Sequence, residues 1–302
     1  MTGGSTQGVH VPHIADGGRS RRSGGLRADR LGTPERQEAS VIRVISLQSG
    51  SSGNSVYVEA DGVAILIDAG ISARQAKRRL AEYGVDVTRC AALLISHDHS
   101  DHARHAGVYH RLFGLPVCMT EPTYDAAARR LRLGEIGALR FFEAGQSLRL
   151  RRGRASLWVH SVPTPHDGAD CVTFVVESGQ RRLGIFSDLG HVFGELREAV
   201  QSVDAMLIES NYDPDMLEAG RYPEELKHRI RGPGGHLSNE ESADLVAFAL
   251  NRNAKLRWAA LCHLSKDNNT PELAVQTHRE RFGEAIPVHV ASRYEASGVW
   301  TV

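Results

Sequence analysis

The sequence is poor in features that mark several common classes of protein. Its 302 residues hold four cysteines, Cys90, Cys118, Cys171 and Cys262, with no C-x-x-C spacing among them. That excludes a disulfide framework and a cysteine-ligated zinc site, leaving buried free thiols as the expectation. No apolar run approaches the roughly 18 residues that span a bilayer, and the N-terminus lacks the apolar stretch of a secretory signal. A cytoplasmic protein that does not engage a membrane is expected. Net charge is missing too: 36 Lys and Arg balance 36 Asp and Glu, so the molecule lacks the positive field of a general nucleic-acid coat protein. Aromatics make up 6%, and no stretch interleaves them with basic residues as single-strand binding surfaces do. Trp158, Trp258 and Trp300 are therefore expected in the core.

Neutrality hides an asymmetry. From Arg74 to Arg154 there are 15 Lys or Arg against 8 Asp or Glu, and from Ala155 to Val302 there are 14 against 21. Any polyanion site is local. Residues 1–40 carry 8 of the 30 glycines and no Phe, Trp or Tyr, so they read as a disordered Gly/Arg-rich tail that cannot offset the entropy of ordering. Residues 41–302 read as one folded domain with two sheets and outer helices. Short β-rich runs lie at Ile42–Leu47, Ser55–Glu59, Ala64–Asp68, Ala91–Ser96, Pro116–Met119, Ser156–Val162, Cys171–Glu177, Arg182–Ser187, Ala205–Glu209, Arg257–Cys262 and Ile286–Ala291. Helices are predicted over Ser72–Tyr83, up to Phe113, from Ser238 with Glu241 as a capping box, and from Thr270 followed by Pro271.

The chemistry concentrates in His97-Asp98-His99-Ser100-Asp101-His102, directly after the apolar run Ala91–Ile95. Three imidazoles and two carboxylates at a strand end can turn several nitrogen and oxygen donors toward one point with little loop to order. Histidines this close repel when charged unless a metal holds them neutral.

This H-x-H-x-D-H string on a β-rich N-terminal half resembles the metallo-β-lactamase superfamily, which implies an α+β, four-layer αββα sandwich. The resemblance extends to Asp68 in Ile67-Asp68-Ala69-Gly70, His166 in Thr164-Pro165-His166, Asp188 in Phe186-Ser187-Asp188 and His263 in Cys262-His263-Leu264. It implies two divalent metal ions, zinc or manganese with iron open. One is held by His97, His99, His166 and Asp188, the other by Asp101, His102, Asp188 and His263, with Asp68 orienting ligands from behind. Such a pair lowers the pKa of a shared water toward about 7 and makes a hydroxide nucleophile.

Position 188 is Asp where familiar dizinc β-lactamases carry Cys, which argues against lactam hydrolysis. Glu209 in Ile208-Glu209-Ser210-Asn211 and His236 in Gly235-His236-Leu237-Ser238 resemble the Glu and His pair of the tRNA 3′-processing branch, a general acid for a departing alkoxide. With Asp101 they form the expected catalytic set. The strings Ser49-Gly50-Ser51-Ser52-Gly53-Asn54 and His263-Leu264-Ser265-Lys266-Asp267-Asn268-Asn269 are similar to the YycJ/WalJ group of this superfamily, whose members are regarded as DNA exonucleases. That group implies DNA as substrate and Ser51, Ser52, Asn54, Lys266 and Asn268 as substrate contacts, with a homodimer or protein partner open. His191 departs from the group, where an aromatic is expected, and either reshapes the pocket wall or adds a stray ligand. A hydrolase of RNA or of a small phosphodiester is the alternative, and a metal-binding scaffold without turnover a second.

Overall fold

The computed structural model describes residues 40–302, so the expected tail of residues 1–40 lies, apart from Ser40, outside the described residues. The strands are β1 (Ile42–Gln48), β2 (Ser55–Ala60), β3 (Val63–Ile67), β4 (Ala92–Leu94), β5 (Val117–Met119), β6 (Leu139–Phe141), β7 (Ser147–Arg152), β8 (Ala155–Pro163), β9 (Val172–Ser178), β10 (Arg181–Phe186), β11 (Ala205–Glu209), β12 (Ala259–Cys262), β13 (Val288–Val290) and β14 (Trp300–Thr301). The helices are α1 (Ala73–Ala81), α2 (Ser100–Ala103), α3 (Ala106–Phe113), α4 (Glu121–Arg130), α5 (Gly194–Gln201), α6 (Pro214–Ala219), α7 (Glu224–Arg231), α8 (Asn239–Leu250) and α9 (Pro271–Phe282).

Two seven-stranded sheets form, in the orders β14-β1-β2-β3-β4-β5-β6 and β13-β12-β11-β10-β9-β8-β7. Each is antiparallel over one half and parallel over the other, the switch falling at β3 in the first sheet and β10 in the second. Strands β3 and β11 read as nearly continuous apolar runs because both their faces are covered. Ile65 and Ile67 of β3 point between the sheets, while Ala64 and Leu66 point to the helical layer of α1 and α3. Ala205 and Leu207 of β11 likewise face the inter-sheet core, and Met206 and Ile208 face α5 and α8. Three apolar layers separated by two sheets make the αββα sandwich.

The helix ends follow from local chemistry. The Ser238 hydroxyl accepts the Glu241 N–H at 3.1 Å and the Glu241 carboxylate accepts the Ser238 N–H at 2.9 Å, closing the capping box that starts α8. Thr270 caps α9 with Pro271 in its first turn. The helix predicted up to Phe113 is broken: α2 ends at Ala103 and α3 starts after His105. All four cysteines are buried and free. Trp258 is buried as expected, but Trp158 is 37% exposed with the Arg149 guanidinium over its ring, because it alternates along β8 with Leu157 and Val159, which fill the inter-sheet core, and so faces outward. No helix among the described residues is long and apolar enough to cross a membrane.

Candidate metal centre

Parallel strands end on one side of a sheet, and the candidate ligands leave those ends. Asp68 follows β3, His97 and His99 lie between β4 and α2, Asp101 and His102 lie in α2, Asp188 follows β10, Glu209 ends β11 and His263 follows β12. Asp68, Asp188 and His263 have φ of 64°, 56° and 55°. Non-glycine residues adopt this left-handed conformation at a cost on the order of 1 to 3 kcal/mol, which persists only where surrounding contacts over-determine it. Here it turns three side chains off three strand ends toward one point.

Hydrogen bonds fix which nitrogen of each imidazole faces that point. Asp68 Oδ2 accepts from His102 Nδ1 at 2.7 Å, and the same carboxylate takes the Ser96 N–H at 2.8 Å and the Ser96 hydroxyl at 3.0 Å. His97 Nδ1 bonds Ser96 Oγ at 2.9 Å, and His166 Nδ1 donates to the Gly235 carbonyl at 3.0 Å. His263 Nδ1 donates to Glu209 Oε1 at 3.1 Å. These four rings therefore turn Nε2 toward the centre. His99 is reversed, its Nδ1 lying 3.3 Å from His166 Nε2.

Three inward atoms, His97 Nε2, His263 Nε2 and Asp188 Oδ2, are buried without a hydrogen-bond partner. Buried polar atoms without partners are costly, and a cation is the partner that a convergence of lone pairs lacks. Ligand atoms lie within 4.8 Å of one another in four groups: His97, His99 and His166; His97, His102 and Asp188; Asp101, His102 and His263; and Asp188, Glu209, His236 and His263. The donors are all nitrogen and oxygen and fit divalent metal ions. All seven residues expected as ligands meet here, and Asp188 belongs to groups on both sides.

The sequence comparisons decide the family. Residues 64–254 match the β-lactamase superfamily domain. The exodeoxyribonuclease YycJ of Bacillus anthracis is 31% identical over 250 residues, 80% of this chain and 92% of that protein. The exodeoxyribonuclease WalJ of Streptococcus pneumoniae serotype 2 is 33% identical over 241 residues, 79% of this chain and 87% of that one. The chain belongs to the metallo-β-lactamase superfamily, in its YycJ/WalJ group. The metallo-β-lactamase-fold protein YhfI of Bacillus subtilis overlays with a TM-score of 0.63 across 87% of this chain and 100% of that one, at 15% identity, a likeness of fold.

In this metallo-β-lactamase centre the charge is divided unevenly. Burial, then the neighbouring His102, pushes His97 well below its ordinary pKa, and burial with His166 lowers His99, so both are neutral lone-pair donors. Burial opposes a rise at His102 and His263, but the carboxylates outweigh it. Asp188, Asp68 and Asp101 raise His102 well above its ordinary value, and Asp188, Asp101 and Glu209 raise His263 to about 10. The carboxylates thus favour protons on these two rings, and a cation ligated there would replace them.

Glu209 is 0% exposed. Its Oε1 accepts from His236 Nδ1 at 2.7 Å as well as from His263, and its Oε2 accepts the N–H groups of Leu189 and Leu237 at 3.0 and 3.2 Å. Burial opposes its ionisation, yet the two imidazoles hold its pKa down to about 2.

The five expected substrate contacts divide. Ser51, Ser52 and Lys266 are exposed. Asn54 is buried and turned inward, its Nδ2 at 3.2 Å from Asp101 Oδ2 and 2.9 Å from His102 Nε2. Asn268 is 1% exposed, bonded to Ser265 Oγ, with its Oδ1 lying where a Cβ on Gly220 would come within 2.6 Å. His191 is exposed, bonds the Pro233 carbonyl at 2.7 Å and joins none of the ligand groups among the described residues. Several neighbours escape a reading by residue type: Ser96, Ser49, whose Oγ accepts the His263 N–H at 2.7 Å, and Asn211, which donates to the His263 carbonyl at 2.7 Å. Asp167, 3.4 Å from His99 Nε2 and paired to Arg229, had one signal, its position beside His166.

Proposed function

We propose that the protein is a binuclear-metal phosphodiesterase that degrades DNA from an end. The observation that carries this reading is the Glu209–His236 pair, whose imidazole lies with its Nδ1 3.8 Å from Asp188 Oδ1 at the edge of the ligand cluster. The exodeoxyribonuclease names of its relatives support DNA as the polymer. The chain is a metal-dependent hydrolase, and two divalent ions, zinc or manganese, would be held by His97, His99, His166 and Asp188 and by Asp101, His102, Asp188 and His263. When bound, such a pair supplies Lewis acidity and lowers the pKa of a water toward about 7.

The chain's own groups supply the rest. Asp101, with Oδ2 3.5 Å from both His102 Nε2 and His263 Nε2, faces the same space and orients the attacking water through its carboxylate. Asp68 holds the His102 ring in one tautomer. His236 has its Nδ1 engaged by Glu209, so Nε2 is the atom that gives a proton to the leaving alkoxide.

The test is metal-dependent cleavage of duplex DNA, single-stranded DNA, RNA and bis(p-nitrophenyl) phosphate by one preparation. The reading expects DNA to be shortened from its ends, with release of nucleotides. RNA cut faster than DNA replaces the substrate, and no cleavage of any diester replaces the enzyme with a metal-binding scaffold.

A further inference from the structure

A cavity of about 300 Å³ opens beside the metal centre, lined among others by Ser49, Leu264, Lys266, Ser292, Arg293 and Tyr294. This is the low end for ligand pockets, about 300 to 1,000 Å³, and suits one nucleotide rather than a duplex. Ser49 is common to both places: it lines the cavity, and its hydroxyl accepts the N–H of His263. We propose that this cavity receives the terminal, unpaired nucleotide of a DNA strand, with its base on Tyr294 and its phosphate on Arg293 and Lys266. The inference rests on the phosphodiesterase reading and names the part of the substrate that this side of the site binds.

Tyr294 is 73% exposed, and its hydroxyl makes no hydrogen bond among the described residues, whereas its backbone is held. The buried Arg79 donates to its carbonyl, and its N–H donates to Ser292 Oγ at 3.1 Å. A fixed backbone presenting a free aromatic face is what base stacking uses. The Arg293 guanidinium donates to the Leu264 carbonyl and, at 3.4 Å, to Ser52 Oγ. It lies flat over Gly50, where φ is +116° and an added Cβ would come within 2.8 Å of Nη2. Among the described residues neither Arg293 nor Lys266 has a carboxylate partner within 4.0 Å. A brace between two loops accounts for Arg293; it does not account for an unpaired lysine and an open ring in the same cavity. Lys266 is distant in sequence from the adjacent Arg293 and Tyr294, which is why no basic and aromatic interleaving shows in the sequence.

The test measures the affinity of the metal-loaded protein for a fluorescein-labelled, single-stranded thymidine decamer with phosphorothioate linkages, which resist cleavage, by anisotropy. Tyr294→Ala raises Kd about tenfold and Tyr294→Phe stays within about twofold, since the ring and not the hydroxyl carries the contact. Lys266→Ala flattens the slope of log affinity against log salt by about 0.7, one counterion on a single strand. The duplex with an adenine decamer has no unpaired base to offer, so Tyr294→Ala leaves its Kd within about twofold. Equal single-strand affinity for Tyr294→Ala and wild type, at unchanged melting temperature, overturns the proposal, and so does an equal loss on the duplex. Hydrolysis of bis(p-nitrophenyl) phosphate by the wild type judges the phosphodiesterase reading separately, because that diester carries no base or 5′ nucleotide to fill the cavity.

Discussion

Replacing Glu209 by Gln changes one atom and removes the charge, yet the contacts around this side chain make it a severe substitution. All four of its neighbours donate: His236 Nδ1 and His263 Nδ1 to Oε1, and the Leu189 and Leu237 N–H groups to Oε2. A Gln amide has one acceptor and one donor end, so either orientation turns an NH2 against two donors. With the backbone pair satisfied, both imidazoles lose their acceptor; with the imidazoles satisfied, two buried N–H groups are orphaned. Removing one partner of a buried, charge-assisted network costs about 3 to 5 kcal/mol. For a domain of this size that lowers the melting temperature by roughly 10 °C. The same change releases the tautomer of His263, a candidate ligand, so metal content falls along with kcat. Differential scanning fluorimetry and elemental analysis of one Glu209→Gln preparation read both quantities. A variant with full metal content that melts within about 2 °C of wild type would refute the claim that this carboxylate ties the acid to the ligand set.

Other substitutions separate the parts. His236→Ala depresses kcat by roughly 10²- to 10⁴-fold on a diester with a poor alkoxide leaving group and much less on a p-nitrophenyl ester, with metal content retained; equal losses on both assign His236 to substrate positioning. Gly70→Ala places a Cβ 1.6 Å from the Asp101 carbonyl oxygen and 2.5 Å from the Asn54 nitrogen, so it displaces the loop carrying Asp101, destabilises by about 3 kcal/mol and loses metal in elemental analysis. His278, 0% exposed and pushed by burial down to about 4, sits below its free value of about 6.5. A base depressed in the fold binds its proton more readily when unfolded, so its stabilisation is complete above about pH 6.5 and falls as pH drops toward 4, by about 3 kcal/mol. Urea titrations across that range show a shallower slope of stability against pH for His278→Asn than for wild type.

How much of this was legible in the sequence depends on where the information lies. Strands covered on both faces, such as Val63–Ile67 and Ala205–Glu209, announce themselves as apolar runs, and the Ser238 and Thr270 caps mark helix starts by side-chain chemistry. Helix α4 does not, because it buries only Thr123, Ala126 and Ala127, small residues that make no apolar stripe. β6 is half exposed and β14 is two residues long, so their existence depends on partners far along the chain. The candidate ligands were readable because histidine and aspartate at strand ends carry their chemistry in residue type. Ser49, Ser96 and Asn211 were not, since a hydroxyl or amide gains its role only from the ring it touches. Asn54 shows the converse: the loop motif singles it out as a substrate contact, but the side chain turns to Asp101 and His102 rather than outward. The Glu209 carboxylate was expected to serve His236, and its second imidazole became visible only when β11 and β12 were placed side by side.

The claim on which the rest depends is that two cations share Asp188 between the His97, His99 and His166 group and the Asp101, His102 and His263 group. The direct measurement is the metal-to-chain ratio of wild-type protein reconstituted with zinc or manganese, desalted and analysed by inductively coupled plasma mass spectrometry. The account predicts a ratio near two; a ratio of one or less contradicts it.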